Sequence, residues 1–176
     1  MKRRTVLAIG ATVILTYGLL YLIGSTWVPP VYTVQSEITL PASARRSWEV
    51  LTDFAQYPQW NPYLPRVEGA LEPGQAISFT LVDGNFSEPM ELGAQIGGVN
   101  PPEELYWEGT LGIQGLHDTR HVFRLIALDN GDTQLKHFEE FRGLLPMVLP
   151  DREQRTTHTR RAFEGMNRAL QQRLAN

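Results

Sequence analysis

The sequence predicts an α+β domain in which a curved antiparallel sheet packs against one long C-terminal helix. Between residues 31 and 141, short runs of alternating apolar and polar residues are separated by turn sequences such as VDGN and DNGD, a pattern typical of strands joined by tight turns. No helix-sized connection separates the later runs, which favours antiparallel neighbours. Residues 151–174 instead repeat apolar residues at spacings of three and four, which indicates an amphipathic helix.

The N-terminal segment predicts one transmembrane helix ahead of this domain. Residues 5–24 (TVLAIGATVILTYGLLYLIG) contain no charge and follow Lys2, Arg3 and Arg4. A helix of this length spans about 30 Å, roughly one bilayer core. We therefore expect residues 1–30 to be a membrane anchor and linker, with a cytoplasmic N-terminus and the domain of residues 31–176 outside the cytoplasm. The alternative is a cleaved signal peptide, although LIGSTW is a poor match to its cleavage site.

Composition excludes several classes of function. Residues 31–176 hold 13 Lys and Arg against 19 Asp and Glu, a net charge of −6, so we expect no nucleic-acid partner. The chain has no cysteine, which excludes thiolate nucleophiles and cysteine-based zinc sites. Its four histidines do not show a spacing such as H-E-x-x-H, and no G-x-S-x-G, P-loop or dinucleotide fingerprint occurs. We therefore expect neither a metal nor a cofactor.

The first elements of the domain follow from local patterns. VYTVQSEITL alternates as a strand, and Ser43 can cap a short helix whose apolar side is Ala44, Trp48, Leu51 and Phe54. The segment DFAQYPQWNPY then ends this helix, because Pro58 and Pro62 disfavour helical backbone before them. It is either packing for one end of the sheet or the portal of a binding site. Six further strands are predicted at RVEGAL, AISFTLV, MELGAQI, LYWEGTL, HVFRLIAL and TQLKHFEEF, with a turn at GGVNPP between the third and fourth of them.

The last two strands predict a pair of interacting polar side chains. Charged residues alternate with the others in HVFRL and TQLKHFEEF, so His121 and Phe123 should face inward from one strand, and His137 and Glu139 from the other. A three-residue loop at 129–131 places Phe123 opposite His137 and His121 opposite Glu139. His121 and Glu139 are candidates for a proton-transfer couple. The alternative is a polar spot that orients the head group of a ligand or satisfies itself.

The order of elements also supports a family resemblance. WEVLTDFAQYPQWNPY after the first strand, LGIQGLHDTRHVFRL in the later strands and TQLKHFEEFRGLLP before the last helix resemble the polyketide cyclase/dehydrase and lipid-transport group of the SRPBCC, START-like (Bet v 1-like) superfamily. The resemblance covers residues 31–174. It implies a helix-grip fold, in which the sheet wraps the C-terminal helix and a cavity between them accepts hydrophobic ligands.

This resemblance implies a domain that binds a lipid or another hydrophobic small molecule, and the N-terminal segment, which lies outside the resemblance, would anchor that domain to a membrane. The alternatives are a cyclase- or hydrolase-type enzyme acting in the same cavity and a non-catalytic protein-interaction domain. We expect a binder, because no nucleophile or metal accompanies the His–Glu pair. The helix should present Thr159, Phe163, Met166 and Leu170 to the cavity and keep Arg152, Arg160 and Arg168 in solvent. The predicted cavity residues are Trp60, Trp107, His121, Phe123, His137, Glu139, Phe141, Thr159, Phe163, Met166 and Leu170.

Overall fold

The sheet is antiparallel and consists of strands β1 (Tyr32–Leu40), β2 (Arg66–Gly69), β3 (Ala76–Leu81), β4 (Met90–Asn100), β5 (Glu104–Thr110), β6 (Asp118–Ala127) and β7 (Thr133–Arg142). Their spatial order is β1-β7-β6-β5-β4-β3-β2. The computed structural model describes residues 2–24 and 29–175, so residues 25–28 of the predicted anchor and linker lie outside the described residues. The pairing of β1 with β7 places the first strand beside the last one.

The helices complete a helix-grip fold, as the sequence predicts. The long helix α5 (Arg152–Ala175) packs against β1 and β7, and α2 (Ala44–Thr52) and α3 (Tyr57–Trp60) also contact it. The helices are α1 (Lys2–Gly24), α2 (Ala44–Thr52), α3 (Tyr57–Trp60), α4 (Leu144–Val148) and α5 (Arg152–Ala175), with a 3₁₀ turn at Phe54–Gln56. The α+β class and the helix-grip arrangement are therefore confirmed.

Helix α1 covers the apolar run near the N-terminus. Within residues 2–24 and 29–175, however, no helix is both long enough and apolar enough to cross a membrane. The structure therefore gives no support to the predicted transmembrane helix.

Helix α2 begins where the capping residue predicts. The Oγ atom of Ser43 accepts a hydrogen bond from the backbone N–H of Arg46 at 3.3 Å, which satisfies one of the free N–H groups of the first turn. Leu51 is fully buried on the inner side of this helix. Phe54 falls in the 3₁₀ turn that follows, because the helix ends at Thr52.

Strand β4 differs from the prediction. The residues GGVN were expected in a turn, but β4 continues through them to Asn100 with a bulge between Ile96 and Gly98. The ring of Tyr106 on β5 lies so close to Gly97 and Gly98 that a Cβ atom at either position would collide with it. The two glycines therefore serve a close approach within the sheet, and the turn follows at residues 101–103.

The predicted register between β6 and β7 is confirmed. Phe123 pairs with His137, and His121 pairs with Glu139. The loop at 129–131 sets this register: Leu128 N–H donates to the carbonyl of Asp132 at 2.9 Å. Gly131 has φ +88° in the same loop, a backbone conformation that glycine adopts without steric cost.

The predicted inner face of α5 is confirmed as well. Thr159, Phe163, Met166 and Leu170 are buried, whereas the arginines at 152, 160 and 168 are exposed. This helix therefore supplies one wall of the interior from Thr159 to Leu170.

Candidate functional site: an interior cavity

A cavity of about 440 Å³ lies between the sheet and the first turns of α5. Its walls are mainly apolar, and they come from strands β1 and β3 to β7, from α4 and from the loops at that end of the sheet. Among the apolar lining residues are Val34, Leu64, Phe79, Leu81, Trp107 and Phe141. The polar ones include Asp83, His117, His121, Glu139, Arg155 and Thr159. An apolar enclosure with a few polar groups is the usual form of a small-molecule site.

The opening of the cavity is rimmed by exposed apolar side chains. Phe86 in the β3–β4 loop is 46% exposed, Leu111 after β5 is 51% exposed and Leu149 after α4 is 40% exposed. All three also line the cavity. The entrance therefore lies where these three loops meet.

The predicted cavity residues fall into two groups. Trp107, His121, Glu139, Phe141 and Thr159 line the cavity. The others pack in or against the core beside it: Trp60, Phe123, His137, Phe163, Met166 and Leu170. Phe163, Met166 and Leu170 are large side chains that fill the interior beside the cavity. The inward face of α5 therefore contributes both to the cavity lining and to the packed core.

The aromatic segment at residues 53–63 packs the end of the sheet opposite the opening. Tyr57 is fully buried, and its hydroxyl donates to the carbonyl of Leu51 at 2.6 Å. The Oδ1 atom of Asn61 accepts from the backbone N–H groups of Tyr63 and Leu64 at 3.0 and 2.9 Å. Of the three large aromatics at 57, 60 and 63, Tyr63 is the one that lines the cavity.

His121 and Glu139 form the polar centre of the cavity. The Nδ1 atom of His121 lies 3.6 Å from Oε2 of Glu139, and the two side chains are 3% and 13% exposed. The indole of Trp107 stacks on the His121 ring with centroids 4.8 Å apart and planes 7° apart. An aromatic face stacked in this way restricts the orientation of the His121 ring.

A buried hydrogen-bond chain continues from His121 away from the cavity. Its Nε2 atom lies 2.8 Å from Nε2 of His137, and Nδ1 of His137 lies 2.9 Å from Oδ1 of Asn167. The Nδ2 group of Asn167 donates to Oγ of Ser36 at 3.2 Å. Burial lowers the pKa of His137 well below its usual range, and the neighbouring His121 lowers it further.

Sequence reasoning missed Asn167, although a signal for it exists. It lies four residues after Phe163 on the inner face of α5 and is 1% exposed. A polar residue inside an apolar helical stripe needs a hydrogen-bond partner, so its position predicts a polar contact on the facing sheet.

A second polar cluster, also missed, joins the β3–β4 loop to α5. Asp83 accepts hydrogen bonds from the backbone N–H of Asn85 at 2.7 Å and from Oγ1 of Thr159 at 2.8 Å. The side chain of Asn85 donates to Oγ1 of Thr159 at 3.0 Å. Burial raises the pKa of Asp83 even though these hydrogen bonds oppose it. The residues VDGN were predicted only as a turn, because the contact to α5 is not visible locally.

The described part of the chain contains no set of side chains suited to bind a metal ion. Within residues 2–24 and 29–175, no group of three or more His, Asp or Glu side chains is placed to hold a metal ion. His121 and Glu139 line the cavity with Tyr63 beside them, so their side chains can form hydrogen bonds with a bound molecule. Burial raises the pKa of Tyr63 well above its usual range, so this phenol stays protonated.

The chain belongs to the family described as Polyketide cyclase / dehydrase and lipid transport. The sequence profile of this family matches residues 32–176, which include the whole sheet, the cavity and α5. No curated protein sequence matches the chain.

Solved structures with the same fold come from several classes of protein. The Zhui aromatase/cyclase from Streptomyces sp. R1128 is 21% identical with a TM-score of 0.64, over 82% of this chain and 93% of that one. A START superfamily protein from Mycobacterium smegmatis is 17% identical with a TM-score of 0.63, over 81% and 97%. Ara h 8.0201 is 17% identical with a TM-score of 0.61, over 82% and 97%. These similarities establish the shared fold.

Proposed function

We propose that the chain binds a lipid or another hydrophobic small molecule inside the cavity, with the polar end of the ligand at His121 and Glu139. The observation that carries the proposal is an apolar cavity of about 440 Å³ with an opening to solvent. That volume is within the range of about 300–1,000 Å³ of small-molecule sites. The family description, which includes lipid transport, agrees with it.

The proposal is tested by reducing the cavity from a wall. Ala94 on β4 lines the cavity, whereas Ala76 on β3 is exposed and lies outside the lining. Ala94→Leu should weaken binding of the neutral dye Nile red by about tenfold or more, because the larger side chain occupies part of the cavity. A tenfold loss requires an unfavourable contribution of only about 1.4 kcal/mol. Ala76→Leu is the matched control and should bind as the parent does.

A fluorescence titration measures both variants, and mass spectrometry of small molecules that co-purify with the protein identifies the natural ligand. Equal dye affinity in the Ala94→Leu and Ala76→Leu variants would contradict cavity binding. The proposal would then give way to that of a protein-interaction domain.

An enzyme of the cyclase or hydrolase type is the second candidate. It is favoured by the His121–Glu139 pair, whose facing atoms are 3.6 Å apart in the cavity. If the pair transfers protons in catalysis, Glu139→Gln should reduce turnover of the co-purified ligand by about 10²–10⁴ with little change in affinity. In a binder, the same change should alter affinity by about 1–3 kcal/mol. We expect the result of a binder.

We further propose that α1 attaches the domain to a lipid bilayer and that residues 31–176 lie outside the cytoplasm. The proposal is supported by large apolar side chains of α1 that remain exposed, among them Val13 at 61%, Ile14 at 72% and Leu15 at 74%. Exposed apolar area of this kind is normally covered by lipid or protein. Extraction of cell membranes at alkaline pH and protease access to a C-terminal tag in intact cells test attachment and orientation. Release of the protein without detergent would contradict the attachment.

A further inference from the structure

We infer that Asn167 and His137 are positioning residues: they hold a proton on Nε2 of His121 and leave Nδ1 as the nitrogen of that ring that exchanges a proton with the cavity. What this inference means for ligand binding rests on the proposed function. The assignment of donors and acceptors along the hydrogen-bond chain does not rest on it. The inference follows from the buried chain that runs from Ser36 on β1 to Glu139 on β7.

The first step is set by the amide of Asn167. Its Nδ2 group donates to Oγ of Ser36 at 3.2 Å, and its Oδ1 atom lies 2.9 Å from Nδ1 of His137. A carbonyl oxygen only accepts hydrogen bonds. The proton in the second contact therefore belongs to Nδ1 of His137.

The second step follows from the burial of His137. This side chain is 0% exposed, and burial keeps its pKa well below the usual range, so the ring carries a single proton. That proton is on Nδ1, and Nε2 is left as an acceptor. Because Nε2 of His121 is 2.8 Å from this acceptor, His121 must donate from Nε2.

The third step leaves Nδ1 of His121 as the variable atom. It faces Oε2 of Glu139 at 3.6 Å, and the stacked indole of Trp107 restrains the ring. With a proton, Nδ1 is attracted to the carboxylate and can donate to a ligand oxygen; without one, it accepts from a ligand hydroxyl. The matching ligand class is an apolar molecule that carries a hydroxyl or carbonyl group at the end that enters the cavity.

The groups around His121 leave few competitors for this proton. The titratable groups that face the ring are Tyr63, from the segment before β2, and His137 and Glu139 from β7. Helix α5 presents Phe163 to the same ring and Asn167 to His137, and neither side chain titrates.

The test uses the full chain labelled with ¹⁵N histidine and two-bond ¹H–¹⁵N correlation spectra, which report the protonation of each ring nitrogen. Between about pH 5 and pH 8, where histidines ordinarily titrate, we expect Nδ1 of His137 and Nε2 of His121 to stay protonated. Any titration of His121 should occur at Nδ1. A parent protein with the proton of His137 on Nε2, or with titration at Nε2 of His121, would overturn the inference.

Two variants separate positioning from general structural support. Asn167→Asp keeps an acceptor and should preserve the proton on Nδ1 of His137, whereas Asn167→Leu removes it and should leave both histidines in mixed tautomers. Gln171→Leu, one turn later on α5, is the control, because Gln171 bonds only the exposed carbonyl of Thr39 among the contacts of the described residues.

Each outcome decides the inference separately from the proposed function. If Asn167→Leu keeps the parent pattern, Asn167 is not a positioning residue and the inference fails. If Asn167→Leu does not fold, the spectra of the parent and of Asn167→Asp decide. Nile red binding to the parent protein is measured in parallel: the expected proton order without dye binding would uphold the hydrogen-bond chain and contradict the proposed function.

Discussion

The two halves of α5 present the same face to the sheet but meet different interiors. In the first half, Arg155, Thr156 and Thr159 border the cavity. In the second half, Phe163, Met166 and Leu170 are fully buried in the core. The contrast shows that side-chain size along one helical stripe decides where the interior is filled and where it stays open.

The covering segments reinforce this difference. Helices α2 and α3 contact α5, with Leu51 and Tyr57 fully buried, and Arg173 in the last turns of α5 donates to Oε1 of Gln59 on α3 at 3.3 Å. The first half is covered by loops, among them the β3–β4 loop that Asp83 and Asn85 tie to Thr159. One end of the domain is therefore closely packed, whereas the other end encloses the cavity.

The largest expected effect comes from emptying the packed half. Phe163 is fully buried and stacks on His137 with ring centroids 4.0 Å apart, so Phe163→Ala should reduce the free energy of unfolding by about 3–5 kcal/mol. Thr156 borders the cavity, and Thr156→Ala should change the free energy of unfolding by about 0.5 kcal/mol or less. Urea unfolding measures both. Equal losses would remove the distinction between the two halves.

The second prediction concerns pH. The pKa of His137 is lowered in the folded state, so the unfolded chain binds a proton first as pH falls below about 6.5. The contribution of neutral His137 to stability is therefore fully present above that pH. It is lost progressively as the pH falls toward the folded-state pKa of His137. His137→Gln should reduce the slope of unfolding free energy against pH in this window by up to about 1.4 kcal/mol per pH unit.

The control for this prediction is His117→Asn, at the opening. Burial also lowers the pKa of His117, but that side chain is only partly buried, so its contribution to the slope should be smaller. Unfolding in urea at several pH values gives the slopes. A steeper slope in the His137→Gln variant than in the parent would reverse the expected sign.

The smallest expected effect tests one hydrogen bond of the closed end. Tyr57→Phe removes the hydroxyl that donates to the carbonyl of Leu51 at 2.6 Å and should cost about 0.5–1.5 kcal/mol. Thermal or urea unfolding measures the change, with Tyr106→Phe on the outer face of the sheet as the control. No loss in the Tyr57→Phe variant would show that packing of the ring alone closes this end.

Local patterns were sufficient for much of the fold. Alternation in HVFRL and TQLKHFEEF, together with a glycine at the bulge position of a three-residue loop, predicted that His121 faces Glu139, and the strands pair in that register. The capping role of Ser43 and the inner face of α5 were predictable for the same reason. Each depends on residues a few positions apart, where backbone geometry determines which side chains share a face.

The sequence by itself therefore determined the succession of strands before the long C-terminal helix, the apolar inward face of that helix, the register of β6 with β7 and the family resemblance. Only the tertiary structure decided that Phe163, Met166 and Leu170 fill the interior while Thr159 borders a cavity. It also decided that Asn167 joins His137 and His121 in one hydrogen-bond chain. The physical reason is that empty volume and buried hydrogen bonds depend on contacts between segments about 30 to 130 residues apart, and those contacts are set by how the whole sheet wraps α5.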